Sequence, residues 1–303
     1  EKKFLEIPNE ILIQTMKTNQ KYFPVFDKNK RLTNKFIAIA NIESKDPSII
    51  QKGNERVIRP RFSDAMFFWQ KDKSKTLQEH GHNLNSLIFQ KELGSMLEKS
   101  NRVSALAVEI SKAIGGDVHL TARAGKLSRC DLLTETVNEF PSIQGTLGRH
   151  KATLDGEEDE VCKALEEFYL PRFSGDVLPK TKVGIAISLA DKIDSLIGIF
   201  GIKQKPTGDK DPYGLRRAAL GVIRIIRENN LELDLPMLLA LSAKNFNIKK
   251  FELDVCDTVN SFFLDRLKGV YTEEGIKSDI FDSVAAKKLA SLTDFDLRVK
   301  AII

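Results

Sequence analysis

The chain has 303 residues, a formal net charge of +5 and 42% hydrophobic residues, which is the composition of a soluble globular protein. No apolar run approaches the roughly 18 residues of a membrane-spanning helix. Three isolated cysteines, Cys130, Cys162 and Cys256, form no CxxC pair, which argues against a thiolate metal site and a disulfide framework and fits a reducing cytoplasm.

The first 60 residues predict a small mixed α/β fragment. Residues 8–16 carry a short helical pattern. KYFPVF at 21–26 and KFIAIANI at 35–42 are rich in Phe, Ile and Val and predict two strands, joined by a turn-like segment into a β-hairpin. The segment GNERVIRPR at 53–61 is expected to break the pattern. The chain begins with Glu1 and no signal-peptide pattern, so we expect it to be an excised piece of a longer protein.

A helical period dominates from residue 62 onward. The predicted helices span residues 62–80, 84–99, 101–114, 118–138, 155–169, 181–200, 212–229, 235–245, 251–268 and 283–290. We therefore predict a mainly α fold, in which a helical domain at 61–303 follows the mixed fragment at 1–60.

The most informative segment is 178–227, in which two apolar helices flank a loop rich in Lys, Asp, Pro and Gly. Asp211 is expected to cap the second helix, and Pro212 suits its first position. The loop and the helix carry seven basic residues: Lys203, Lys205, Lys210, Arg216, Arg217, Arg224 and Arg227. The arginine spacing alone fits an ordinary helix with a charged face, but the lysines favour contact with a phosphate backbone.

Two further groups of residues are candidates for chemistry. Asp191 and Asp194 lie three residues apart on one helix side, where paired carboxylates can bind metal, act as acid and base, or hold an arginine. We expect a solvated face or an arginine partner. The stretch 145–158 lacks the pattern of a phosphate-binding loop, but its Arg149, His150 and Lys151 are candidates for contact with a nucleic-acid backbone. The alternative is a surface connection between helices.

Several long strings resemble the β subunit of bacterial tetrameric glycyl-tRNA synthetase. They are FIAIANIESKDPSIIQKGNERVIRPRFSDAMFF at 36–68, FQKELGSMLEKSNR at 89–102, CDLLTETVNEFPSIQGTLGRH at 130–150 and LADKIDSLIGIFGIKQKPTGDKDPYGLRRAALGVIRII at 189–226. The resemblance covers nearly the whole chain and implies a central fragment of that β subunit. It departs from the usual family strings at Lys151, where Tyr is common, and at Lys203, where Gly is common.

The resemblance implies a cytoplasmic α2β2 enzyme. Its α subunit holds the catalytic core and uses ATP and Mg²⁺ to make glycyl-adenylate, and its β subunit supplies tRNA binding. The middle of the β subunit is similar to the helical HD phosphohydrolase fold. On that pattern Cys130 and Asp131 take the His-Asp place, Asp191 takes the last Asp, and Arg102 or a neighbour stands near the first His. Without the imidazole ligands we expect no catalytic metal site and no cofactor in this fragment.

The sequence thus predicts a noncatalytic fragment that binds and positions tRNA(Gly) for glycylation by the α subunit. The predicted tRNA-binding residues are Lys203, Lys205, Lys210, Arg216, Arg217 and Arg224, followed by Arg149 and His150. Two alternatives stay open: a metal-dependent HD-type phosphohydrolase, and a purely structural module whose basic helix packs on the α subunit.

Overall fold

Helices make up most of residues 1–248 and 251–303, which the computed structural model describes. The helices are α1 (Asn9–Gln14), α2 (Pro47–Asp72), α3 (Leu77–His80), α4 (Met96–Ala113), α5 (Val118–Leu127), α6 (Glu135–Glu139), α7 (Thr146–Leu154), α8 (Asp159–Glu167), α9 (Lys182–Gly201), α10 (Leu215–Glu228), α11 (Leu235–Lys244), α12 (Val255–Glu273), α13 (Ser278–Ala285) and α14 (Leu292–Ile302). The mainly α fold class is confirmed, and its HD-like description stays a prediction.

The strands are short and form two separate hairpins: β1 (Phe23–Phe26) with β2 (Leu32–Ile37), and β3 (Ile88–Gln90) with β4 (Gly94–Ser95). In the first, Phe23 pairs with Ile37 and Phe26 with Leu32, in antiparallel register, which confirms the predicted hairpin. Strand β2 ends at Ile37, before the predicted end at residue 42, because β1 offers only four residues for pairing.

Helix α2 shows that the predicted break at 53–61 is wrong. The helix continues through Gly53 and Pro60 to its end at Asp72. In a helix interior Gly costs about 1 kcal/mol and Pro about 3 kcal/mol relative to Ala. The burial of Ile58 and Trp69 against the N-terminal core offsets this cost, so tertiary packing overrides the local breakers.

Two hydrophobic cores organise the described residues. The first joins α1, the β1–β2 hairpin and α2 to residues 137–147. The second is larger and surrounds α9, whose Val183, Leu189 and Ile193 are completely buried. The predicted boundary between the mixed fragment and the helical domain, at residue 60, lies inside α2, and α2 packs in the first core as far as Trp69. The division of the chain into two domains at this residue stays a prediction.

Helix α9 lies at the centre of the second core, where it contacts α4, α5, α8, α10, α11 and α12. Thr181 caps its start by accepting a hydrogen bond from the backbone N–H of Gly184 at 2.9 Å. A helix that is apolar on nearly all sides is stable only when other helices surround it. Residues 202–214 form the basic loop, which begins where α9 ends. The packing of α9 in the core therefore fixes the position of this loop. None of the helices described is long and apolar enough to cross a lipid bilayer.

Candidate nucleic-acid interface

The loop between α9 and α10 presents three predicted lysines at the surface. An isolated antiparallel bridge closes it, in which Thr207 and Lys210 exchange backbone hydrogen bonds of 3.1 and 2.9 Å. Lys205 and Lys210 are exposed and form no ion pair within residues 1–248 and 251–303. Lys203 is exposed as well, but its ammonium lies 2.8 Å from the carboxylate of Glu252.

Asp211 fixes the start of α10. Its carboxylate accepts hydrogen bonds from the backbone N–H groups of Leu215 at 2.8 Å and Arg216 at 2.9 Å, which confirms its predicted capping role. Pro212 does not take the first helical position, because the helix begins only at Leu215. Gly214 precedes it with φ +65°, a left-handed conformation that glycine adopts without a steric penalty.

The arginines of α10 differ in how strongly the protein engages them. Arg216 donates a hydrogen bond of 2.5 Å to the carbonyl of Gly208, and Arg224 lies 2.8 Å from the carboxylate of Glu228. Arg217 is exposed and has no ion pair in the described part of the chain. We call the three predicted cations that are exposed and lack an acidic partner there the open cations: Lys205, Lys210 and Arg217.

Arg149 and His150 lie on α7 and bind acidic side chains of the protein itself. Both contact Glu10 at 2.9 Å, and Arg149 also lies 2.8 Å from Glu166. The hydrogen bond with His150 lowers the pKa of Glu10 to about 2. Lys151 is buried, and its ammonium donates to the carbonyl of Lys75 at 2.5 Å, so the prediction that it contacts nucleic acid is wrong.

Cys130 and Asp131, which the resemblance assigns to the His-Asp place, are both buried. Burial raises the pKa of the Cys130 thiol to about 12, so this group is neutral and its Sγ lies 3.5 Å from the carbonyl of Lys126. Burial also raises the pKa of Asp131 to about 6, although its Oδ2 accepts a hydrogen bond from the backbone N–H of Gly145 at 2.6 Å.

Asp191 and Asp194 face basic side chains. The Lys99 ammonium lies 3.2 Å from Asp191 and 2.9 Å from Asp194, and Arg129 donates to Asp191. Arg102, the residue near the first His position, contacts Asp194 at 2.8 Å. The expectation that this carboxylate pair holds an arginine is confirmed. We call this set the buried ion cluster: Lys99, Arg102, Arg129, Asp191 and Asp194.

The electrostatics of the buried ion cluster favour the ionised form of the Asp191 carboxylate. Burial raises the pKa of Asp191, but the charges of Arg129 and Lys99 outweigh burial, and the pKa lies below its ordinary value. Among the residues that the structure describes, no three His, Cys, Asp or Glu side chains are grouped so that they could hold a metal ion. Protein cations therefore occupy the acceptor positions of these carboxylates.

A cleft of about 410 Å³ opens beside the arginines of α10. Arg217 and Arg224 line it together with two side chains that the sequence did not single out, Phe173 and Glu273. Phe173 is 61% exposed. The only signal in the sequence was an aromatic residue inside the turn-rich run PRFSG at 171–175.

The comparison with known families supplies the decisive observation. The model of the family described as glycyl-tRNA synthetase beta subunit matches residues 1–286. This chain belongs to the glycyl-tRNA synthetase beta subunit family. Similar proteins named glycine–tRNA ligase beta subunit occur in Pseudoalteromonas translucida (49% identical over 302 residues), Colwellia psychrerythraea (48% over 299) and Pectobacterium atrosepticum (49% over 302).

These alignments cover 100%, 99% and 100% of the chain, but 44% of each relative. The chain therefore spans less than half the length of the curated beta subunits that it matches. Membership in the beta subunit family confirms the resemblance found in the sequence.

Proposed function

We propose that the chain is a noncatalytic part of a glycine–tRNA ligase β subunit, which binds and positions tRNA(Gly) for ATP-dependent glycylation by the α subunit. The observation that carries this proposal is the family match over residues 1–286. The proposal includes an α2β2 assembly in the cytoplasm, with ATP and Mg²⁺ used by the α subunit and no cofactor in this part of the chain.

The open cations support the RNA-binding part of the proposal. A lysine or arginine that already has a carboxylate partner must give up that contact before it neutralises a phosphate, and the loss of the ion pair offsets the gain. Lys205, Lys210 and Arg217 have no such partner within the described ranges. They lie on the α9–α10 loop and the first turn of α10, which the central helix and the Asp211 cap hold in place.

By the same reasoning, the other predicted tRNA-binding residues are weaker candidates for direct contact with a phosphate. Lys203, Arg224, Arg149 and His150 each have an acidic partner, and Arg216 has a backbone carbonyl. We propose that these residues shape the surface and its field, whereas the open cations contact phosphates. Phosphate contacts fix the register of an RNA but do not read its sequence. The function of this surface is thus to orient the tRNA, which can supply a large part of a rate enhancement.

The buried ion cluster supports a noncatalytic, HD-like scaffold. A di-metal hydrolase needs neutral nitrogen ligands and carboxylates that are free to bind the ions. Here Asp191 and Asp194 have lysine and arginine partners at 2.8–3.2 Å. We propose that the helical scaffold is used for RNA placement and subunit assembly, and not for phosphate hydrolysis.

A binding experiment tests the RNA contacts. The full-length β subunit is assembled with the α subunit, and the affinity for tRNA(Gly) is measured against salt for the triple variant Lys205→Gln, Lys210→Gln and Arg217→Gln. The slope of log K against log salt should fall by about 0.7–0.9 per lost phosphate contact, hence by about 2–3 in total.

The matched control carries the same charge change on α2 and at the residue that follows it: Lys52→Gln, Arg56→Gln and Lys73→Gln, three exposed residues without ion pairs in the described part of the chain. Its slope should equal that of the parent protein. Equal slopes for the two triple variants would remove the open cations from the RNA interface. Loss of α-subunit binding in the first variant alone would favour the structural-module alternative.

A further inference from the structure

The cleft beside α10 combines features of a nucleotide site. Its volume of about 410 Å³ falls within the range of about 300–1,000 Å³ that is typical of small-ligand sites. Leu220 and Gly221 form part of its floor, Phe173 lies at its rim, and Arg217 and Arg224 line it. An aromatic face beside guanidinium groups is the combination that proteins use to bind single-stranded nucleic acid.

The rim loop is held in a defined shape, which keeps Phe173 at the cleft. The carboxylate of Asp176 accepts a hydrogen bond of 2.7 Å from the backbone N–H of Arg172, and the backbone N–H of Asp176 donates to the carbonyl of Phe173 at 3.2 Å. Arg224 joins this loop to α10 by donating to the carbonyl of Asp176 at 3.2 Å. The aromatic ring is therefore exposed by a built turn, and a bound base would need little reorganisation.

The two guanidinium groups at the cleft differ in whether their donors are free to bind a ligand. Arg217 has no ion pair within residues 1–248 and 251–303. Arg224 is bound to Glu228 through Nε, but its Nη1 is buried and has no hydrogen-bond partner in the described residues. The donors of Arg217 are therefore open to a phosphate oxygen, whereas Arg224 adds positive charge to the cleft.

Of the carboxylates that line the cleft, all but Glu273 are paired with arginines in the described residues: Glu228, Glu274 and Asp296. Glu274 and Asp296 bind Arg227 at 2.9 Å each, which neutralises them. Glu273 is exposed and has no ion pair among the residues that the structure describes. A carboxylate accepts hydrogen bonds from amino groups on base edges and repels a second phosphate. The cleft is thus lined both by an arginine that can bind a phosphate, Arg217, and by a carboxylate that can accept from a base, Glu273.

We propose that this cleft binds one unstacked nucleotide of a single-stranded segment of tRNA(Gly). Its base stacks on Phe173, its phosphate is bound by Arg217 in the positive field of Arg224, and Glu273 accepts from an amino group of the base. This inference rests on the proposed function, which it refines from a charged surface to a defined nucleotide site.

The test uses the full-length β subunit with its α subunit and tRNA(Gly) as the probe. Phe173→Ala should weaken binding roughly 5- to 100-fold, the range measured when a stacking aromatic is removed. The salt slope should not change, because the ring contacts no phosphate. Phe173→Trp should restore the affinity, and its added indole fluorescence should be quenched by tRNA(Gly), measured against the parent protein.

The matched control is Phe67→Ala on α2, because Phe67 is also 61% exposed and does not line the cleft. It should bind tRNA(Gly) as the parent does. If Phe173→Ala binds like Phe67→Ala while the open-cation variant shows its reduced salt slope, the nucleotide site is overturned and the proposed function stands. If neither variant changes binding, both fail. An affinity loss in Phe173→Ala that Phe173→Trp does not restore would overturn stacking as the cause.

Discussion

Arg102 and Asp194 form a buried ion pair, in which the guanidinium Nε lies 2.8 Å from Oδ1 and Nη2 lies 3.3 Å from Oδ2. The Asp194 side chain is 1% exposed, and Lys99 contacts its second oxygen at 2.9 Å. Arg102 therefore depends on one carboxylate that water does not reach, and Lys99 shares that carboxylate while also contacting Asp191 at 3.2 Å. This dependence makes the pair sensitive to the loss of the aspartate charge.

The variant Asp194→Asn should destabilise the protein by about 3–5 kcal/mol, because it leaves the buried Arg102 guanidinium without its counter-charge. The free energy of unfolding in urea measures the effect. Asp64→Asn, at an exposed position on α2 without an ion pair in the described residues, should change it by no more than about 0.5 kcal/mol. A loss below about 1 kcal/mol for Asp194→Asn would contradict the cluster's structural role.

Asp131 should make stability depend on pH. Its folded pKa is raised from 3.8 to about 6 by burial, so its stabilising contribution is complete below the unfolded pKa and is lost as pH rises through about 6. Asp131→Asn removes the group that titrates, so the variant does not lose this stability as pH rises. The stability of the variant relative to wild type should therefore increase between about pH 4 and pH 7.5, by up to about 3 kcal/mol.

Unfolding free energies at several pH values check the Asp131 prediction, with Asp64→Asn as the control that should show no such trend. A difference between Asp131→Asn and wild type that stays constant across this pH range would mean that the carboxyl keeps an ordinary pKa.

Two glycine-to-alanine substitutions should change the free energy of unfolding in opposite directions. A Cβ at Gly125 on α5 would lie 2.7 Å from the Cβ and 2.8 Å from the Cα of Ser104 on α4, so Gly125→Ala forces the two helices apart. We expect a loss of about 1–3 kcal/mol. A Cβ at Gly53 meets nothing within 4 Å, so Gly53→Ala should stabilise α2 by about 0.5–1 kcal/mol. Thermal unfolding compares the two, and equal effects would contradict the close α4–α5 packing.

The fold was predictable where local signals and packing agree. The helix predicted over 181–200 runs from Lys182 to Gly201, because an apolar sequence follows a capping threonine. The break predicted at 53–61 was wrong, because burial of α2 outweighs the local effects of glycine and proline. The sequence also missed α14 (Leu292–Ile302), whose burial of Phe295 and Val299 depends on residues distant in the chain.

The candidate site was predictable in its location but not in its pairing. The loop lysines and α10 arginines stand out in the sequence as a charged group, and the structure places them on one loop and one helix. Which cations stay open depends on distant partners. Arg149 forms an ion pair with Glu10, which lies 139 positions away in the chain, and Lys203 forms one with Glu252. No local pattern identifies such pairs, and none identified Phe173 as a cleft residue.

The most direct test of the central claim separates tRNA placement from glycine activation. The α subunit is assembled with full-length β carrying Lys205→Gln, Lys210→Gln and Arg217→Gln, and two rates are measured. We expect kcat/KM for tRNA(Gly) in glycylation to fall roughly ten-fold or more, while glycyl-adenylate formation, followed by pyrophosphate exchange without tRNA, is unchanged. Equal losses in both rates, or no loss in glycylation, would contradict that claim.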